Sequence, residues 1–203
     1  MMLGMMSLGC ATRSGDGRDN VYAPKPVLPG SVVRVAVLPL AIKSNTESLV
    51  AGREALAGLL PQELQRVERF EFTLVTPEQL VQWTGKEVWA SDEPLPRDFL
   101  KRISEELDCE AVLFGRLTQF RPYPPLAVGW EFKLIRASSA GVLWAADELV
   151  DAGEKSEADR ALQYEKQRTK RLFGVDKGDL ILVSPARFGQ YSLNTLFSTL
   201  PGR

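Results

Sequence analysis

Val32-Val33-Arg34-Val35-Ala36-Val37-Leu38-Pro39-Leu40 reads as a strand that is apolar on both faces, closed by Pro39. Such a run belongs inside a sheet with packing on either side, which is the mark of an α/β architecture. Moving outward, Leu49, Leu56, Leu60, Leu64 and Val67 recur at helical spacing and predict a helix over 47–67, with a kink or break at Pro61. Phe70, Phe72 and Leu74 alternate with Glu71 and Thr73, a half-buried strand.

Thr76-Pro77-Glu78-Gln79 supplies a cap, a proline at the first helical position and a polar third position, so a short helix starts there and ends near Gly85. A loop over 89–96 precedes a second helix to Leu107, with Phe99, Leu100, Ile103 and Leu107 on one side. Ala111 to Leu117 is another apolar strand. Leu126, Val128, Trp130, Phe132 and Leu134 alternate, and after a turn at 138–141 the strand from Val142 to Val150 completes an antiparallel hairpin. Trp130 and Trp144 are expected in the core, whereas Trp83 and Trp89 flank a loop. Ser156 and Asp159 suggest a capping box opening a polar helix to about Leu172. Ser184-Pro185 opens a last helix, whose Leu193, Leu196, Phe197 and Leu200 share a face, and Pro201-Gly202 stops it. The order is β-α-β-α-α-β-β-β-α-α. The expected fold is α/β (α+β): a single mixed β-sheet with packed helices, one domain over 31–203, and no internal repeat.

The first thirty residues differ in kind. All four methionines (Met1, Met2, Met5, Met6) precede Cys10, in an apolar stretch without charge. From Ala11 to Gly30 the chain is rich in Gly, Asp, Arg and Pro, which suits an extended tether. Ser7-Leu8-Gly9-Cys10 resembles the lipobox of bacterial lipoproteins, although Ser7 stands where that family prefers Leu. The resemblance implies a truncated signal peptide over 1–9, an acylated (palmitate-bearing) Cys10 and a tether over 10–30. Ala11 would, on the same resemblance, direct the protein to the outer membrane rather than retain it at the inner one. The competing reading is a cytoplasmic globule whose Cys10 is incidental.

Bulk composition narrows the function classes. The chain has 203 residues, 44% of them apolar and 25% charged, with a formal net charge of -1. That balance exerts no general pull on nucleic acid. No run approaches the ~20 apolar residues of a spanning helix. There is no histidine, the side chain most used for proton transfer near neutral pH and the commonest metal ligand. Gly85-Lys86 lacks the rest of a phosphate loop, and Gly15-x-Gly17 lies in the tether rather than between a strand and a helix. Cys109, the second of two cysteines, reads as a small buried hydrophobe. No catalytic residue, metal site or cofactor is assigned.

Three surface features remain. Asp147, Glu148, Asp151, Glu154, Glu157 and Asp159 crowd the end of the hairpin and the next helix start; they read as solvated strand-end and helix-dipole charges, as oxygen ligands for a hard cation whose spacing does not match a calcium loop, or as carboxylates for hydrolysis. Lys166, Arg168, Lys170 and Arg171 read as a solvated helix end, the alternative being a contact to anionic lipid or polymer. Arg121-Pro122-Tyr123-Pro124-Pro125 joins two strands; its prolines stiffen it around a tyrosine, so a partner could read it at low ordering cost.

Val35-Ala36-Val37-Leu38-Pro39, then a helix, then Arg69-Phe70-Glu71-Phe72, then Ala111-Val112-Leu113-Phe114-Gly115-Arg116 and Gly141-Val142-Leu143-Trp144, resembles a group of envelope lipoproteins. The group includes the curli-secretion lipoprotein and the penicillin-binding-protein activator of the LpoB kind. The resemblance spans about Val32 to Val150 and implies protein–protein contact or assembly without catalysis. The expectation is a lipid-anchored, non-catalytic binding or assembly module of the cell envelope, on the periplasmic face of the outer membrane, with another envelope protein as partner. The alternative is a carboxylate-dependent hydrolase of an envelope polymer. A binding module should tolerate Asp147→Asn and Asp151→Asn and fail when Tyr123 or the prolines change.

Overall fold

A computed structural model describes residues 20–173 and 178–203. The expected signal segment, Cys10 and the first part of the tether lie outside the described residues. One mixed sheet organises the rest. Its strands are β1 (Val21–Tyr22), β2 (Arg34–Val37), β3 (Ala41–Ile42), β4 (Glu71–Leu74), β5 (Ala111–Arg121), β6 (Ala127–Arg136) and β7 (Val142–Asp151). They lie in the order β1-β7-β6-β5-β2-β4, with β3 paired to β5 further along. The β2–β4, β2–β5 and β3–β5 pairs are parallel; β5–β6, β6–β7 and β1–β7 are antiparallel. The expected mixed α+β sheet with packed helices is the one observed.

The parallel half explains why the first strand is apolar on both sides. Helices α1 (Glu47–Leu56) and α2 (Leu60–Val67) carry the chain from β2 to β4 over one face, where Val35 and Val37 meet Leu49, Leu56, Leu60 and Leu64. Helices α3 (Pro77–Thr84) and α4 (Phe99–Leu107) return it to β5 over the other face, where Ala36, Leu38, Val112 and Phe114 meet Leu80, Phe99 and Ile103. Regular pairing in the first run is shorter than expected: β2 ends at Val37, Pro39 interrupts, and the chain rejoins β5 as β3. The break in the long helix falls before Pro61. A short 3-10 turn over Ala57–Leu59 separates α1 from α2, and Pro61 occupies the opening turn of α2, where its missing N–H costs nothing.

The antiparallel half packs on α6 (Pro185–Phe197). Phe188, Tyr191, Leu193, Leu196 and Phe197 are buried there with Trp130, Phe132 and Trp144. The indole of Trp130 donates to Ser192 Oγ (2.8 Å), and that of Trp144 to Thr199 Oγ1 (3.1 Å), so neither ring buries an idle donor. Gly115 lets Phe132 lie against the β5 backbone, since a Cβ there would stand 2.5 Å from the ring. Trp83 and Trp89 are half-buried against the second core.

Helix α5 (Lys155–Phe173) sets Ala161 in the core and packs Leu162 and Tyr164 against it, and polar contacts add to this attachment. Glu63, wholly buried on α2, accepts from Arg66 (2.6 Å), Gln190 (2.8 Å) and Asn194 (3.2 Å). Glu165 on α5 accepts from Arg168 and Arg187, and Arg168 also donates to Gln190. The capping box expected at Ser156 and Asp159 is not what starts α5, because Ser156 already lies inside the helix and the first turn closes onto the Glu154 carbonyl. The capping box at Thr76 is present, with Gln79 answering it.

Residues 20–30 take part in the fold. Val21 and Tyr22 pair with Ala146 and Ala145, Leu28 is buried, and Val27 bridges to Gly202. Of the segment expected to be tether through residue 30, Val21–Tyr22 thus join the sheet edge and Leu28 packs into the core, while residues 23–26 remain exposed.

Candidate functional site

The β5–β6 connection carries Tyr123, the most exposed large hydrophobic side chain among the described residues. Strand β5 runs to Arg121, four residues beyond the expected end, so Arg121 closes the strand and Pro122 to Leu126 make the turn. Arg121 holds that turn at its base. Its Nε donates to the Pro125 carbonyl, and its Nη2 reaches Asp151 Oδ1 at the end of β7 (2.5 Å). Asp151 Oδ1 also accepts the Gly153 amide (2.8 Å). The Pro124–Pro125 peptide is cis. Tyr123 projects from the turn with 77% of its surface in solvent. Two features separated by 30 residues in the sequence, the proline segment and the acidic run, are thus joined by one ion pair.

The rest of the acidic run is dispersed. Glu157 bonds Arg160 and the Tyr191 hydroxyl, and burial together with that carboxylate pushes the Tyr191 phenol well above its ordinary value. Asp147 and Asp151 share a face of β7 but stand four residues apart, about 13 Å along a strand. That exceeds the roughly 5–10 Å separation of a carboxylate pair in glycoside hydrolysis. Among the described residues no group of three or more Cys, Asp or Glu side chains is placed to hold a metal ion. The cationic helix end is also divided: Arg168 is committed to Glu165 and Gln190, Lys166 is exposed, and the side chains of Lys170 and Arg171 lie outside those described. Cys109 is buried at 4% exposure between α4 and β5, and burial raises its thiol above the usual range.

A second site was not expected from the sequence. Helices α3 and α4 cover one face of the sheet over β2 and the start of β5, while the same face is left more open toward β7 and β1. A cavity of about 490 Å³ lies on it, lined among others by Tyr22, Asp92, Arg116, Glu131, Lys133 and Asp147. Arg116 is its hub. Its Nε donates to Glu131 Oε2 (3.0 Å) and its Nη1 to Asp92 Oδ2 (2.8 Å). Ser91 Oγ donates to the other Glu131 oxygen (3.2 Å), which also lies 3.4 Å from Lys133 Nζ. Burial on its own would raise the Glu131 carboxyl, but the hydrogen bonds and charge of Arg116 outweigh it and hold it below 4.5. The Arg116 hydrogen bond likewise holds Asp92 down. Both Glu131 oxygens are occupied, so the cluster offers a charged, hydrogen-bonding floor and no free base. The sequence carried a faint signal for it: Arg116 and Glu131 are charges set into strands that are otherwise apolar on both sides of them.

No described helix is long and apolar enough to cross a membrane. No protein-family model and no curated protein matches the sequence. Among solved structures, PelC from Paraburkholderia phytofirmans superposes with a TM-score of 0.52 at 13% identity, over 90% of this chain and 96% of that one. The fold is similar to that of PelC. The PelC structure is a dodecamer. Its likeness to this chain includes the region after Val150, which the resemblance seen in the sequence left out. Smaller overlaps occur with the LpoB C-terminal domain of Escherichia coli (18% identity, 59% of this chain and 82% of that one, TM-score 0.39). Lipoprotein GNA1162 of Neisseria meningitidis overlaps similarly (12% identity, 59% and 80%, TM-score 0.38).

Proposed function

We propose that this protein is a non-catalytic binding or assembly module of the bacterial envelope, held at the periplasmic face of the outer membrane by an acylated Cys10, and that the Arg121–Pro125 turn contacts a protein partner. The observation that carries the reading is the turn itself. Arg121 fixes its base through Pro125 and Asp151, while Tyr123 is left 77% exposed. A large amphipathic side chain held in advance on a stiff loop loses little entropy on binding. The fold shared with PelC, a dodecamer, supports assembly as the kind of task. The hydrolase reading loses its support because Asp151 is spent on Arg121 and Asp147 stands about 13 Å from it along β7.

Site-specific photocrosslinking tests the reading. A photoreactive residue at position 123, in protein expressed with its natural start, should give a discrete adduct in intact envelope. The same residue at exposed Arg97 on the far loop should give none. Equal labelling from both positions, or none from 123, would overturn it.

A further inference from the structure

We infer that the open edge of β4 is a second recognition surface, which takes an extended basic peptide as an added strand. This surface is separate from the Tyr123 turn. Strand β4 ends the sheet, paired on one side only with β2. Glu71 and Val75 donate their amides to Val33 and Val37. Alternation along a strand then turns the peptide groups of Phe72 and Leu74 outward, away from β2. Natural sheets blunt such edges with lysine, proline or a bulge. Glu71-Phe72-Thr73-Leu74 is short and carries one charge, Glu71, but has no lysine, proline or bulge, and Leu74 is 48% exposed.

What lies beside the edge defines the guest. Leu74 opens onto a groove of about 510 Å³ at the C-terminal ends of β2 and β4, floored by Leu38, Leu40, Leu60 and Pro61. An added strand places alternate side chains on that side, so one apolar residue can enter beside Leu74. The surroundings are acidic. Glu54 and Glu87 line the groove, Glu68 lies just before the strand and Glu71 opens it; all four are exposed, and Arg69 is the one cation between Glu68 and Glu71. Among the described residues none of the four sits in an ion pair, and Arg53 is the one cation in the groove lining. Outward backbone groups call for a strand, the groove calls for an apolar side chain, and the carboxylates call for Lys or Arg beside it.

The test titrates the full chain with a labelled eight-residue peptide of alternating Lys and Val, and with its Glu–Val counterpart, by fluorescence anisotropy. The Lys–Val peptide should bind with a Kd below about 100 μM, and the Glu–Val peptide at least ~10-fold more weakly. Leu74→Pro removes an outward N–H and leaves the β2 ladder whole, so it should cost at least ~10-fold in affinity. Glu71→Lys with Glu87→Lys, which does not alter the backbone, should cost at least ~5-fold. Binding by Leu74→Pro or by the charge-reversed protein that equals wild type overturns the inference, as does absence of binding at about 1 mM peptide. Sedimentation showing a dimer of the wild type that Leu74→Pro abolishes would also overturn it, because the edge would then belong to a second copy.

Discussion

Arg121 and Asp151 meet at 2.5 Å across the end of the hairpin sheet, which ties the proline turn to the last residue of β7. This pair changes what the acidic substitutions mean. Asp147→Asn alters an exposed strand residue and should leave partner contact unchanged. Asp151→Ala removes the one oxygen that accepts from both the Arg121 guanidinium and the Gly153 amide. Both partners are partly exposed, so the loss of stability should stay below about 1 kcal/mol. The effect should appear instead as faster amide exchange at Ala127 and Gly153 and as weaker crosslinking from position 123. Unchanged exchange in Asp151→Ala would show that the turn stands without its clamp.

The hydroxyl of Ser192 accepts the Trp130 indole and itself donates to the Gly189 carbonyl (2.8 Å). Ser192→Ala leaves a buried donor unpaired and should cost about 1–3 kcal/mol in urea unfolding. Trp130→Phe combined with Ser192→Ala should cost less than the sum of the two single changes, with a coupling of about 1 kcal/mol. Strict additivity would mean that the bond contributes nothing to the packing of α6.

Stability should depend on pH through Glu131. Its folded value lies below the ordinary 4.5. The contribution is therefore complete above the unfolded value and is lost as pH falls through the folded one. Wild type should exceed Glu131→Gln in stability from pH 8 to about pH 5, and the gap should close under stronger acid. A gap that stays constant across that acid range would assign the cost of Glu131→Gln to shape rather than to charge.

The parts of the structure legible in the sequence are those set by local periodicity and caps. Val35 to Val37 with apolar residues on both faces, the Thr76–Gln79 box and the alternation through Trp130 and Trp144 each signal their own surroundings. What escaped was long-range. Strands β1 and β3 have two residues each, too few to show a period, and exist because β7 and β5 offer them partners. The Arg116–Glu131–Asp92 cluster joins residues 15 and 24 positions apart, and no local pattern announces that they converge. The Tyr123 turn was visible as a stiff proline segment. Its clamp was not, because the partner Asp151 comes from the neighbouring hairpin and looked like one acid among six.

Lipid attachment at Cys10 is measured most directly by metabolic labelling. The protein, expressed with its natural start and a C-terminal tag, would be compared with Cys10→Ala after growth with an alkyne fatty acid. The label should enter the wild type and be absent from Cys10→Ala, and the wild type should sediment with the outer membrane. Wild-type protein that takes up no label and stays in the soluble fraction would contradict the account.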